Sequence, residues 1–256
     1  MAKLKLGNKR HSNGLFLAHC CNASYASKPG NSASFKKTNL NPPIEFQNQA
    51  TAIFGDGGFV AESVNAVVIV LQGTNDVVDW IKNFQFEKST FLGSKVHKGF
   101  HNGMKSIKPG LLKALNQIPD WRTKPLFLTG HSRGGAIAVL LAQQLHQSFQ
   151  DQLEHPISVF GFGSPRVGDA NFFETYNFGD TTTLYIHEAD PVPSMPPQLD
   201  GFVHVADQFV LHDKTVSELD IDSLIGLIER KHKTSVFPSP SDHKITSYVT
   251  AIKSIV

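Results

Sequence analysis

Four short runs of almost unbroken apolar residues mark the chain, at 66–71, 125–129, 157–160 and 183–187. Runs this short, bounded by turn residues and apolar at successive positions, predict strands buried on both faces, as in a parallel sheet. The last, Thr183-Leu184-Tyr185-Ile186-His187, adds a β-branched and aromatic signal. Helical patterns fall between them. One is expected near 103–117. A second follows residue 132 and keeps its period to about Gln147, with small residues at 134, 135, 136 and 138 that let it approach the sheet closely. Residues 202–211 are expected to form edge strands. Leu219, Ile221, Leu224, Ile225 and Ile228 space out an amphipathic helix over 215–232, then a loop over 233–242 and a final helix over 243–255. Residues 7–60 read as helix and loop, polar and weakly patterned over 27–41. Between 75 and 86, Val77, Val78, Trp80, Ile81 and Phe84 share one broad face of a short helix, with Asp76, Asp79, Lys82 and Asn83 on its wetter side.

Strand alternating with helix predicts an α/β fold with a mainly parallel central sheet. Neither an internal repeat nor a linker interrupts the 256 residues, so 1–256 is expected to be a single domain. A domain of this length buries roughly 70–75% of its unfolded surface. The formal charge is only +2, and no basic run is interleaved with aromatics, which argues against nucleic acid. No apolar stretch reaches membrane-spanning length, so no transmembrane segment is expected. The first eight residues lack the apolar core of a secretion signal. Cys20 and Cys21 are adjacent; a bridge between neighbours strains disulfide geometry, so two free thiols are expected.

Directly after the second apolar run the chain reads Gly130-His131-Ser132-Arg133-Gly134-Gly135. Strand, tight turn and helix with a serine at the turn describe a nucleophile elbow: the hydroxyl is exposed, and glycines keep side chains out of the bend. The alternative is a glycine-rich turn with Ser132 as a packing residue. The helix N-terminus leaves backbone N–H groups unpaired, and that of Arg133 is placed to meet a developing oxyanion. Ser132 needs a base held by a carboxylate, in the chain order Ser, acid, His. Asp190 stands out among the acids, because it follows the fourth strand run and precedes Pro191-Val192-Pro193. The alternative is an Asp that only caps the turn. His204, in an alternating segment, His212 and His232 are poorer bases than His243, which lies between a proline-rich loop and a helical stripe. The twelve histidines form no tight metal-ligand spacing, and His97 and His101 read as loop residues, so no metal and no cofactor is expected.

These blocks together resemble the fungal-type, class 3 triacylglycerol lipases of the α/β-hydrolase superfamily. The resemblance rests on Leu71-Gln72-Gly73-Thr74, Val96-His97-Lys98-Gly99-Phe100, the elbow, Phe162-Gly163-Ser164-Pro165-Arg166-Val167-Gly168-Asp169, Asp190-Pro191-Val192-Pro193 with Pro196-Pro197, Phe202-Val203-His204-Val205, and His243. It spans about residues 45–256. It implies the α/β-hydrolase fold with a short lid helix at 75–86, and carboxylic ester hydrolysis through an acyl-enzyme. Carried over by match, Ser132 is the nucleophile, Asp190 the orienting acid and His243 the base. Thr74 and Arg133 supply the oxyanion N–H groups. The implied partner is a lipid or other ester met by transient contact with a lipid interface, and the implied state is a monomer. The family leans towards secretion, and the compartment stays open. Two departures from the family pattern stand out: Leu71-Gln72 stand where an aromatic and an arginine are usual, and Arg133 where leucine is usual. Both leave the backbone groups in place. Phospholipase A1, feruloyl or short-chain esterase activity, and an inactive binding module, are the alternatives.

Overall fold

The computed structural model describes residues 4, 10–47, 57–74, 76, 79, 81, 83–212, 215–219 and 241–256. In chain order these form α1 (Arg10–Ala23), β1 (Ile44–Gln47), β2 (Gly57–Ser63), β3 (Ala66–Leu71), the hairpin β4 (Lys88–Phe91) and β5 (Ser94–His97), and α2 (Lys98–Leu115). Then come β6 (Leu126–His131), α3 (Arg133–Phe149), β7 (Ile157–Phe162), α4 (Ala170–Thr175), β8 (Thr182–His187), β9 (Gln208–His212), β10 (Thr215–Leu219) and α5 (Ile245–Ile255).

The main sheet has eight strands in the order β1-β2-β3-β6-β7-β8-β9-β10. Strands β3, β6, β7, β8 and β9 run parallel. β1 and β2 add antiparallel strands at one edge, and β10 adds one at the other. Their alternation explains the continuous apolar runs. Val67, Ile69 and Leu71 face one core with Leu126, Leu128 and Val159, under α2 and α3. Val68 and Val70 face the opposite core with Phe127, Phe160, Phe162 and Tyr185, under α1 and α5. With helices on both faces, no side of the central strands meets water. This is the mainly parallel α/β-hydrolase sheet that the resemblance implies.

The expected central strands and the helix after Ser132 are found. Other expectations are corrected. Residues 208–212 form an inner strand between β8 and β10, not an edge. Thr215–Leu219 is strand rather than helix: Thr215 and Val216 pair with His212 and Leu211, and that ladder outweighs the helical spacing. The remainder of the expected helix and loop, 220–240, lies outside the described residues, as do His232 and Val77, Val78 and Trp80 of the expected lid helix. His97 and His101 are not in a loop. His97 ends β5 and caps α2 by accepting the Phe100 N–H at 3.3 Å, and His101 lies in the helix. No helix among the described residues is long and apolar enough to cross a membrane.

Candidate active site

Ser132 joins the carboxyl end of β6 to the N-terminus of α3, with φ 57° and ψ −131°. That left-handed conformation is costly for a residue with a side chain, about 1–3 kcal/mol. It is held by Ser132 N–H donating to the Phe162 carbonyl at 2.8 Å and by Gly135 N–H donating to the Ser132 carbonyl at 3.0 Å. The flanking glycines are steric necessities. A Cβ on Gly130 would sit 2.2 Å from the Gly134 carbonyl carbon, one on Gly134 2.3 Å from the Leu71 oxygen, and one on Gly135 1.8 Å from Ser164 Oγ. The motif is therefore a packing solution: strand, turn and helix cross where only glycine fits.

Asp190 lies three residues beyond β8 and His243 two residues before α5. His243 Nδ1 donates to Asp190 Oδ2 at 2.8 Å and lies 3.0 Å from Oδ1. Both side chains are buried. Val192 N–H donates to Oδ1 at 2.9 Å, and the Tyr248 hydroxyl donates to Oδ2 at 2.5 Å while accepting the His187 N–H at 3.1 Å. Burial, with Asp190 close by, pushes the Tyr248 phenol well above its ordinary range, so it stays a donor. Gly163, at φ +58°, opens the space: a Cβ there would lie 2.6 Å from Asp190 Oδ2 and 3.0 Å from His243 Cε1. The loop after Asp190 is clamped from behind. Arg166 Nη1 donates to the carbonyls of Ser194 at 2.5 Å and Pro196 at 2.9 Å, and His204 Nε2 donates to that of Pro193 at 2.9 Å.

Two atoms in the site are buried and without a hydrogen-bond partner among the described residues: Ser132 Oγ and His243 Nε2. They are a hydroxyl and an imidazole nitrogen, two groups able to exchange a proton. Thr74 follows Gly73, whose Cβ position is 3.3 Å from Ser132 Cβ, so the end of β3 abuts the elbow. Arg133 opens α3. Its guanidinium packs against Gly103, and burial lowers it to about 10. Its side chain thus turns between α2 and α3 rather than out to solvent, while its N–H remains at the helix start.

Sequence reading missed Tyr25, His131, Gly163 and Tyr248. His131 was visible as the neighbour of Ser132, and Tyr248 as a polar ring inside the last apolar stripe. Nothing near Tyr25 signalled a place beside the elbow.

Residues 68–200 match the family model described as Lipase (class 3). The lipase of Rhizomucor miehei is 28% identical over 179 residues, covering 67% of this chain and 49% of its own. A secreted mono- and diacylglycerol lipase 1 of Fusarium solani is 31% identical over 183 residues, covering 65% and 53%. The chain thus spans about half the length of these curated relatives. Among solved structures, Rhizomucor miehei triacylglyceride lipase superposes with a TM-score of 0.76 at 25% identity, over 93% of this chain and 94% of that one. A lipase from Rhizopus microsporus var. chinensis gives 0.77 at 22% identity, over 94% and 88%. With the family model matched over more than half its length, around the elbow and the acid loop, the chain belongs to the class 3 lipases.

Proposed function

We propose that this chain is a serine carboxylic ester hydrolase, and specifically a triacylglycerol lipase. The observation that carries the reading is the buried Asp190–His243 pair beside a strained Ser132, with Nε2 and Oγ left without other partners. In this reading Ser132 Oγ attacks the ester carbonyl carbon as His243 Nε2 takes its proton. Asp190 orients the ring and stabilises the imidazolium. The oxyanion is met by the N–H groups of Thr74 and Arg133, each worth roughly 3–4 kcal/mol in the transition state. The tetrahedral adduct collapses, the C–O bond breaks, and His243 protonates the departing alcohol. Water then attacks the acyl-enzyme, giving its proton to His243, and Ser132 leaves with that proton restored. This chemistry calls on side chains and backbone alone.

Triacylglycerol is the favoured substrate because the Rhizomucor miehei structure is that of a triacylglyceride lipase. The Fusarium solani relative, a mono- and diacylglycerol lipase, supports partial glycerides as the second choice. We read 1–256 as one domain acting as a monomer at a lipid surface. Secretion follows from relatives so named rather than from this chain, whose two cysteines are buried and unbridged.

The test is hydrolysis of a p-nitrophenyl ester with and without an organophosphorus inhibitor, in the wild type and Ser132→Ala. Turnover that is inhibited, with label on Ser132, and lost in S132A is expected. Undiminished turnover in S132A, or label elsewhere, overturns the assignment. Triacylglycerol, phospholipid and feruloyl substrates run side by side then decide the class.

A further inference from the structure

His131, between the strand and the nucleophile, is buried and makes three contacts that converge on the site. Its Nε2–H donates to the backbone carbonyl of His243 at 2.5 Å. Its ring lies against that of His243, 4.5 Å between centroids and 34° from parallel. Its Nδ1 accepts from the Tyr25 hydroxyl at 2.7 Å. Tyr25 follows α1, and its hydroxyl lies against the backbone of Gly73. It is packed so closely there that a Cβ on Gly73 would come within 2.3 Å of the hydroxyl oxygen and 2.5 Å of the His131 carbonyl oxygen. A chain of hydrogen bonds thus runs from Tyr25, packed on Gly73 beside Thr74, through His131 to the backbone of His243.

We infer that Tyr25 and His131 are positioning residues that set the distance between the Ser132 hydroxyl and the His243 imidazole. This rests on the reading of His243 as the base. Ser132 and His243 come from segments 111 residues apart, and Oγ and Nε2 have no hydrogen bond of their own among the described residues to fix their approach. Asp190 holds only the far side of the ring. The imidazole of His131 ties the base's backbone to the strand that carries the nucleophile, and it supplies a flat face that limits ring rotation. The Tyr25 hydroxyl selects the tautomer, because a donor at Nδ1 leaves the proton on Nε2, facing His243. Tyr25 remains a donor, since burial pushes its phenol far above the ordinary range. His131 remains neutral, since burial and the neighbouring His243 hold it well below 6.5. A neutral neighbour does not oppose the charge that His243 gains in the transition state.

The experiment compares His131→Leu, His131→Gln, Tyr25→Phe and the double variant Y25F/H131L. Readouts are kcat and KM on a p-nitrophenyl ester and the downfield proton-NMR signal of the His243 Nδ1–H on Asp190. Glutamine keeps a donor near the Nε2 position; leucine does not. Misplacement of a catalytic group by about 1 Å costs up to roughly a hundredfold. We therefore expect H131L to lose about ten- to hundredfold in kcat with KM within about twofold, H131Q to recover most of it, and Y25F to lose several-fold. Because Tyr25 acts through His131, Y25F should cost nothing further in the H131L background. The NMR signal should broaden in H131L and persist in H131Q. H131Q as poor as H131L, multiplicative losses in the double variant, or an effect on KM alone would overturn the inference. Should H131L fail to fold, an unchanged kcat in Y25F overturns it equally. If wild type shows the NMR signal without ester turnover, only the proposed activity falls, and the pattern of that signal across the variants still decides this point.

Discussion

Lowering the pH from 7 to 4 should cost this fold about 3 kcal/mol through one residue, His204. Its imidazole is buried behind the acid loop, with Nε2–H on the Pro193 carbonyl and the Arg166 guanidinium close by. Burial first, and Arg166 second, lower its pKa from 6.5 to about 3. The unfolded chain therefore binds one more proton than the folded chain between those values. A histidine lowered in this way contributes stability that is present above 6.5 and is lost as pH falls towards 3. At pH 4 the unfolded form gains about 2.5 pH units of protonation free energy, and at about 1.4 kcal/mol per unit this is about 3 kcal/mol. For a chain of this size the melting temperature falls by roughly 6–12 °C on this account. The assay is urea unfolding at pH 7, 6, 5 and 4 for wild type and His204→Gln, whose amide keeps the donor to Pro193. Other groups, including His131, titrate in both proteins and cancel in the difference. The wild type should lose about 3 kcal/mol more than H204Q between pH 7 and 4. Parallel curves would refute the placement of a neutral, buried imidazole behind Asp190.

Three further outcomes follow from the geometry. Tyr248→Phe removes the donor to Asp190 Oδ2 and strands the His187 N–H, which should cost about 2–4 kcal/mol in urea unfolding at pH 7; an unchanged midpoint would contradict the two bonds. Gly135→Ala sets a methyl 1.8 Å from Ser164 Oγ and should destabilise by about 1–3 kcal/mol, with partial recovery in G135A/S164G; equal loss in both backgrounds would place the clash elsewhere. Cys20 and Cys21 are buried, and the thiol of Cys21 is pushed up to about 12, so a disulfide-exchange reagent at pH 8 should find no thiol until denaturant exposes two per chain.

Much of the fold was legible because its signals are local. Ala66–Leu71 and the run before the elbow have one neighbourly explanation: strands covered on both faces. The elbow could be read because its glycine spacing is local, although Gly134 and Gly135 also make room for Leu71 and Ser164 from elsewhere in the chain. The Asp190–His243 contact could be anticipated from chain order, strand end and loop, although only folding closes the 53 residues between them. The segment 215–219 misled because a helical spacing and a strand share apolar residues, and pairing with β9 decides between them. His97 and His101 misled because Gly99 and Gly103 look like loop markers. In the folded chain Gly103 instead makes room for Arg133, a tertiary fact that no window on sequence contains. Tyr25 was invisible for the same reason: Gly73, on which it packs, and His131, to which it donates, lie 48 and 106 residues away.

The twist at residue 132 has a consequence for anyone selecting hardier forms of this molecule. Glycine tolerates that backbone geometry freely, so S132G should come out tougher by about 1 kcal/mol or more, and inert. Screens for heat resistance alone will drift to that dead end. Only a screen that also demands product will keep the contorted serine in place.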